Sequence, residues 1–538
     1  METISLLWKE KPETRKQLHE NVLDDMGISY LLNEIFPEKQ QKYVKERMLE
    51  ISMDVETIRY RQEIFRELFE NPDFMERIAE ALDKIKAYDA SQRAHVTLDK
   101  KSGLLALIEK LEELRLYIEV ILSLNYCLEG MPLHAEGFLR IRRLVAEISN
   151  DKGFGELRDD IHEITENMRL YQSVTLGLNL DNMLKVNEVV LLSVNQYRHK
   201  KNLPMLTRFG HFLQDAVVTN QNLGEGVLFT ARNSDKKQDP LMKNLEHLLE
   251  NDLQELTGKM WTMLQKYVDL SGCCLTGMIP ELEFYLGFAR FFRKLHMAGK
   301  PVCIPDLSDT TENLDIRDCY NIKLFLKNQE AQEKQDIIYN DFVVDEKAGI
   351  FILTGPNSGG KTTYTQAVGC CVLLAQQGLA VPAQGYSGRV FDGIFTHFPT
   401  SEEETVHFGR LGEEARRISE IMAEATGKSL LLFNETYSST SFSEGLYLAK
   451  DLIRALRYRR ITAIYNTHMH ELAADIGMLN EDPGEGRIDS LVMGMEEGKR
   501  SYKVLRRPPE RSSYAQDIAW KYGVTYQQLI RGSDTIAM

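Results

Sequence analysis

The sequence predicts a multidomain protein of α plus α/β class, with a helical N-terminal half followed by an α/β unit organised around one glycine-rich loop. Three observations predict it. Residues Gly355-Pro356-Asn357-Ser358-Gly359-Gly360-Lys361-Thr362 read G-x-x-x-x-G-K-[ST]. The apolar run Gly349 to Thr354 suits a buried strand before that loop, and the small, apolar stretch Thr363 to Leu379 suits a helix after it. The first 170 or so residues space their apolar positions as helices do, whereas residues 315–538 alternate strand-like and helix-like runs.

Taken in order, residues 1 to about 85 carry helical spacing broken at Pro12, Pro37 and Pro72, with Asn71-Pro72-Asp73 as a turn and helix start. Leu104, Ile108, Leu111, Leu114, Ile118 and Ile121 then form one apolar stripe, the mark of a long amphipathic helix. Between 170 and 235 the runs Ser173–Leu180 and Val189–Val194 are short and partly β-branched, so a small strand-containing insert is expected. It includes Tyr197-Arg198-His199-Lys200-Lys201, a basic and aromatic cluster that reads either as a tip touching nucleic-acid backbone or as a solvated loop. Helical pattern resumes over Leu241–Val268 and Pro280–Met297, the latter with an aromatic stripe expected in the core. Pro301 and Pro305 mark a link. The expected segments are therefore 1–170, 171–240, 241–304 and 305–538.

At 538 residues the chain suggests three or more domains, and 43% hydrophobic with 27% charged residues is ordinary for a protein with packed cores. The net charge of −15 excludes a global positive field that would draw the protein to nucleic acid. Seven cysteines without a C-x-x-C spacing read as a reduced, cytoplasmic pattern, with the vicinal pairs as small core residues. Met1-Glu2-Thr3-Ile4 does not open a signal peptide, and no run approaches the ~20 apolar residues of a membrane span.

The loop implies a bound nucleotide. The loop Gly355, Pro356, Asn357, Ser358, Gly359, Gly360, Lys361, Thr362 and Thr363 would surround phosphates at a helix N-terminus, through the backbone N–H groups of every residue except Pro356, which has none. Lys361 would reach the terminal phosphates of ATP, and the Thr362 hydroxyl would ligate Mg²⁺. Ser429 to Phe433 reads as a strand ending in Asn434-Glu435. P-loop ATPases usually place an Asp there to hold the metal, so Asn434 keeps the oxygen without the charge, while Glu435 is placed to activate water. A further strand, Ile461–Asn466, ends in Thr467-His468. Ligands of open α/β sheets bind at such ends, so Lys361, Glu435 and His468 are candidates for one pocket.

These residues resemble the MutS mismatch-repair ATPases. Gly355 through Tyr364 looks like that family's nucleotide loop, and Asn434 to Gly445 (NETYSSTSFSEG) retains Glu435, Thr440, Ser441 and Gly445. Asn466-Thr467-His468-Met469-His470-Glu471-Leu472 resembles its switch-His segment, Asn340-Asp341 its pre-loop pair, and Ser513-Tyr514 with Ala515 to Ala519 its late S-Y element. Arg59 to Ile64 and Pro280 to Glu283 resemble the core and lever helices more loosely. The resemblance implies a lever- and clamp-like helical half, a P-loop ATPase domain of the MutS type, ATP and Mg²⁺, a homodimer through paired ATPase domains, and DNA held by the clamp.

Three departures qualify it. Lever-like helices begin almost at residue 1, so mismatch-reading and connector domains are not expected, and Phe65-Arg66-Glu67 in a helical run is a chance likeness to a mismatch wedge. Asn434 replaces the metal-side Asp. Gly409 stands where the resemblance places a trans-acting Ser, with Arg410 beside it as a substitute charge. For the adenine side, Ile337 occupies the expected aromatic position and Tyr339 is the alternative. The leading expectation is an ATP-switched clamp on distorted or branched DNA. The alternatives are a nucleotide-gated protein-partner switch and a slow, nearly inactive ATPase.

Overall fold

The computed structural model describes residues 4–10, 15–93, 103–184, 186–199, 253–268, 273–331, 336–346, 349–356, 359–399, 409–496, 499–509, 520 and 522–533. The expectations for Lys200-Lys201, residues 202–252, Asn357-Ser358, His407-Phe408 and Ser513 to Ala519 lie outside the described residues.

In chain order the elements begin with β1 (Arg15–Gln17), α1 (Asn21–Asp25), α2 (Ile28–Ile35), α3 (Glu38–Leu49), β2 (Glu50–Ser52) and α4 (Val55–Glu70). They continue with α5 (Pro72–Arg93), α6 (Leu104–Leu128), α7 (Glu136–Asn150), α8 (Lys152–Arg169), β3 (Ser173–Leu180), β4 (Val186–Asn195), α9 (Gln254–Leu264) and α10 (Ile279–Met297). Asp54 starts α4 by accepting from the Thr57 N–H at 2.9 Å, and Pro72 opens α5, where its missing N–H costs nothing.

Two compact units result. The first comprises Met1–Ile4, Glu76–Leu133 and Phe138–Ile279. Here Leu104, Leu111, Leu114, Ile118 and Ile121 of the expected stripe are buried in α6, with Ile108 partly so. β3 and β4 pair as an antiparallel hairpin. Within the basic cluster, Tyr197 and His199 meet edge to face at 5.3 Å, and the His199 ring lies 3.3 Å from Thr175 Oγ1.

The second unit comprises Ser5–Met75, His134–Gly137 and Pro280–Met538. This partition differs from the four consecutive segments expected from the sequence, because residues 5–75 pack with the α/β half. Its remaining elements are β5 (Asp306–Ser308), β6 (Leu314–Cys319), α11 (Ile322–Glu330), β7 (Asn340–Val344), β8 (Ile350–Thr354) and α12 (Lys361–Gln376). After these come β9 (Gly385–Arg389), β10 (Ile394–His397), α13 (Gly409–Glu424), β11 (Leu430–Asn434), α14 (Phe442–Tyr458) and β12 (Thr462–Asn466). The chain closes through α15 (His470–Ala474), α16 (Ile476–Glu481), β13 (Ile488–Glu496), β14 (Lys499–Arg506) and α17 (Tyr526–Ser533).

A six-stranded sheet runs β10-β11-β12-β8-β13-β14, parallel except for the β13–β14 pair. Its inner strands β8, β11 and β12 are buried along their whole length, which is why they read as continuous apolar runs rather than alternating ones. Register aligns Asn434 with Asn466, and Asn466 with Leu353, so three neighbouring strands end together. A second, four-stranded sheet runs β5-β9-β6-β7. The aromatic face of α10 is core, as expected: Phe284, Tyr285, Phe288 and Phe292 are buried, and Phe288 and Phe292 meet Phe36 and Phe65 edge to face. Phe65 lies in that core, while Glu67 Oε1 accepts from the Ala135 N–H at 3.0 Å, so the wedge-like tripeptide serves packing.

The C-terminal end of α12 is tied to the N-terminal segment. Gln376 Nε2 donates to Phe391 O at 2.8 Å and Ser52 O at 3.3 Å, and Gln377 Nε2 donates to Met48 O at 3.1 Å and Glu50 O at 3.2 Å. Arg61, 1% exposed, donates to Leu7 O at 3.0 Å and Gln377 Oε1 at 3.3 Å beneath the Trp8 ring. A cation at this pole suits the negative end of the helix dipole. Gly378 turns the chain here with φ +76°, and a Cβ would lie 2.4 Å from Arg61 Cβ. In the same helix Cys370 and Cys371 are buried, and burial pushes the Cys370 thiol up to about 12, as inert core residues require.

Candidate nucleotide site

The loop between β8 and α12 sits where three parallel strands end. Gly360 caps α12 with φ +96°, a conformation that side chains resist, and Tyr502 Cδ1 would lie 3.2 Å from any Cβ placed there. Lys361, 4% exposed, folds back to donate to Gly355 O at 3.0 Å and Pro356 O at 3.3 Å. Burial depresses the Lys361 pKa, and the Glu435 carboxylate pulls it the other way. A buried ammonium resting on carbonyls, with Gly359 and Gly360 just before it and the Thr362 hydroxyl just after it, is a donor set that suits an oligophosphate.

Thr362 Oγ1 donates to Asn434 Oδ1 at 2.8 Å, and the Asn466 amide donates to that same oxygen. Asn434 is buried, and its amide oxygen therefore stands beside the Thr362 hydroxyl. Among the described residues no group of three or more His, Cys, Asp or Glu could hold a metal ion alone. The donors fit a cation that takes its remaining ligands from phosphates and water, as Mg²⁺ does.

A cavity of about 310 Å³ lies beside the loop, lined by Gly359, Gly360, Lys361, Thr362, Thr363 and Glu435 among others. Of the expected residues, the structure thus brings together the described part of the loop, Asn434 through Thr362, and Glu435. Gly355 and Pro356 take part through their carbonyls, whereas Asn357 and Ser358 are outside the described residues. His468 is exposed and does not line the cavity. Two residues on, His470 is half-buried. Burial depresses its pKa, Glu471 opposes this, and the nearby Lys361 adds to the depression, so His470 is within electrostatic reach of the loop. Gly409 is the first residue of α13 (Gly409–Glu424).

Ile337 lines the cavity but Tyr339 does not; Tyr339 packs edge to face on the lining residue Tyr320 at 5.7 Å. The sequence reading missed Tyr502, which reaches the cavity from β14 with φ +56°. Its carbonyl accepts from Asn340 Nδ2 at 3.1 Å, and Asn340 Oδ1 accepts from the Val504 N–H at 2.8 Å. Asn340 therefore holds β14 in place, a role the Asn-Asp pair alone does not disclose. Asn321 is a second omission: it caps α11 and donates to Thr363 O at 3.0 Å. Neither residue falls inside any of the motif segments read from the sequence.

Comparison with known proteins bears on both halves. A family model for MutS domain V matches residues 351–504, and one for the MutS2 N-terminal domain matches residues 53–298. "Endonuclease MutS2" of Thermus thermophilus is 36% identical over 204 residues, covering 36% of this chain and 26% of that protein. "DNA mismatch repair protein MutS" of Chlorobium limicola is 31% identical over 202 residues, 37% of this chain and 23% of that protein. The protein of the same name from Streptococcus sanguinis is 33% identical over 280 residues, 52% of this chain and 31% of its own length. The chain thus spans less than two thirds of the length of these relatives. No described helix is long and apolar enough to cross a membrane. The two matches fall on different parts of the chain, one over the loop and its sheet and the other over the helices, and on both the chain belongs to the MutS family.

Proposed function

We propose that the protein is an ATPase that binds DNA and uses ATP to switch a dimeric clamp on distorted or branched duplex. The observation that carries this reading is the convergence of Lys361, the Thr362–Asn434 pair and Glu435 at the ends of β8 and β11, parallel strands on either side of β12. In this reading the backbone amides of the loop and Lys361 bind the phosphates. Thr362 and Asn434 hold Mg²⁺, which supplies charge neutralisation on the phosphate oxygens when bound. Glu435 orients water and takes its proton. The helical segments 1–170 and 241–304 act as levers, residues 171–240 as the clamp-like insert, and 305–538 as the P-loop ATPase domain that pairs in a cytoplasmic homodimer. His468 acts as a switch residue that approaches the nucleotide on closure.

One observation favours a second reading, a slow nucleotide-gated switch for a protein partner. Asn434 brings no negative charge to the metal, and its oxygen is already engaged by two donors. Steady-state ATP hydrolysis with duplex, single-stranded and branched DNA at two salt concentrations tests both. The DNA reading expects one structure to change turnover, with an effect that weakens steeply with salt. Turnover indifferent to every DNA would move the assignment to the protein-partner switch.

A further inference from the structure

The residue that carries the proposed hydrolysis is not held by its own strand. Past the end of β11 the chain takes two non-glycine residues into left-handed conformation, Glu435 at φ +51° and Tyr437 at φ +64°. Such residues are sparsely populated and persist only where their surroundings over-determine them. Three tethers come from the sheet. The Glu435 N–H donates to Asn466 O at 2.8 Å, the Tyr465 hydroxyl donates to Thr436 O at 3.1 Å, and the Thr436 hydroxyl meets His397 Nδ1 at 2.9 Å. A fourth is different: the Tyr437 N–H donates to Glu414 Oε2 at 3.0 Å, and Glu414 belongs to α13. Among the bonds described, it is the one side-chain tether to residues 435–437 that comes from outside the sheet. The Glu414 charge also raises the Tyr437 and Tyr465 phenols, after burial, which agrees with its carboxylate lying beside both.

We infer that Glu414 is a positioning residue for Glu435, fixing the left-handed step at Tyr437 so that the Glu435 carboxylate faces the phosphate cavity, and making α13 the control arm of that step. The inference rests on the ATPase reading above. Strands β10, β11 and β12 are hydrogen-bonded side by side in one sheet and cannot shift independently. Helix α13 instead lies on the sheet through side-chain packing, with Ile418 and Ile421 in the buried cluster of Phe395, Phe433 and Tyr437. Packed side chains can slide where a ladder cannot, and the helix's described hydrogen bond to the loop is the one the Glu414 carboxylate accepts. A displacement of α13 of about 1 Å would move Glu435 by a distance that costs on the order of 100-fold in rate when a reacting group is misplaced. Nucleotide affinity, set by the loop at Gly355–Thr362 and Lys361, would be left intact.

The test compares Glu414→Ala with Glu414→Gln in the full chain. Turnover and the binding of a fluorescent ATP analogue are measured, together with hydrogen exchange of the Tyr437 amide. Glu414→Ala should lower kcat by on the order of 10- to 100-fold. Its analogue Kd should stay within about twofold, and the Tyr437 amide should lose protection. Glu414→Gln presents the same acceptor oxygen and should recover most of both. Unchanged kcat with unchanged protection in Glu414→Ala would overturn the inference, as would loss of analogue binding in step with kcat. Absent turnover in the parent chain would defeat the ATPase reading instead. The exchange measurement would then still decide whether Glu414 holds the step.

Discussion

The two halves of the candidate site are built in opposite ways. The phosphate half is one continuous stretch, Gly355 to Thr363, whose shape follows from a strand end, glycines and a helix start. The hydrolytic half, Asn434 to Tyr437, is set by side chains from β10, β12 and α13 and by the backbone of β12. A local motif announces itself in sequence and tolerates change around it. An assembled loop is open to disturbance from every element that touches it.

The difference can be broken first at its largest effect. Glu435→Gln should reduce turnover by about 100- to 10,000-fold while an ATP analogue still binds, whereas Lys361→Met should lose the binding itself. Equal losses of binding in both variants would erase the distinction between the halves. The next effect is on stability. His397 is buried beside Thr436, with Nε2 lacking a hydrogen-bond partner among the described residues. Burial and, secondarily, Arg417 push its pKa down to about 4. Between the ordinary value near 6.5 and about 4 the unfolded chain binds the extra proton, so the stabilisation present at neutral pH is lost on acidification. Its size is up to about 3 kcal/mol, and denaturant unfolding at pH 7 and pH 5 should show the decline shrinking in His397→Gln.

A smaller effect is expected behind the hydrolytic loop. A Cβ on Gly445 would lie 2.6 Å from Tyr437 O, so Gly445→Ala should push the loop and cost on the order of tenfold in kcat with analogue binding retained. The smallest expected change is a gain. Asn434→Asp returns a carboxylate to the Thr362 and Asn466 donors, and the Mg²⁺ concentration for half-maximal turnover should fall a few-fold. An unaltered Mg²⁺ requirement would count against Asn434 as a metal-side residue.

How much was legible follows the same division. The buried strands before Gly355 and before Asn434, the α6 stripe and the aromatic core face of α10 were readable, because each is a periodic or continuous pattern within one element. Glu435 was readable because it follows such a strand directly. Tyr502, Asn321 and Glu414 were not, since their roles arise from contacts with residues 42 to 162 positions away or from a helix reaching a loop 23 positions on. The packing of residues 5–75 with the α/β half was hidden for the same reason: Arg61 and Gln377 meet across 316 positions, and neither has a local pattern that predicts the other.

That last contact carries a practical consequence. Cutting the chain at the proline link near 305 to isolate the nucleotide half would remove Met48, Glu50 and Ser52, the carbonyls that receive the Gln376 and Gln377 amides. It would also bare the space that Arg61 fills against Gly378. A soluble miniature of the α/β half therefore has to be a spliced one, with residues 5–75 kept in cis or supplied as a complementing peptide.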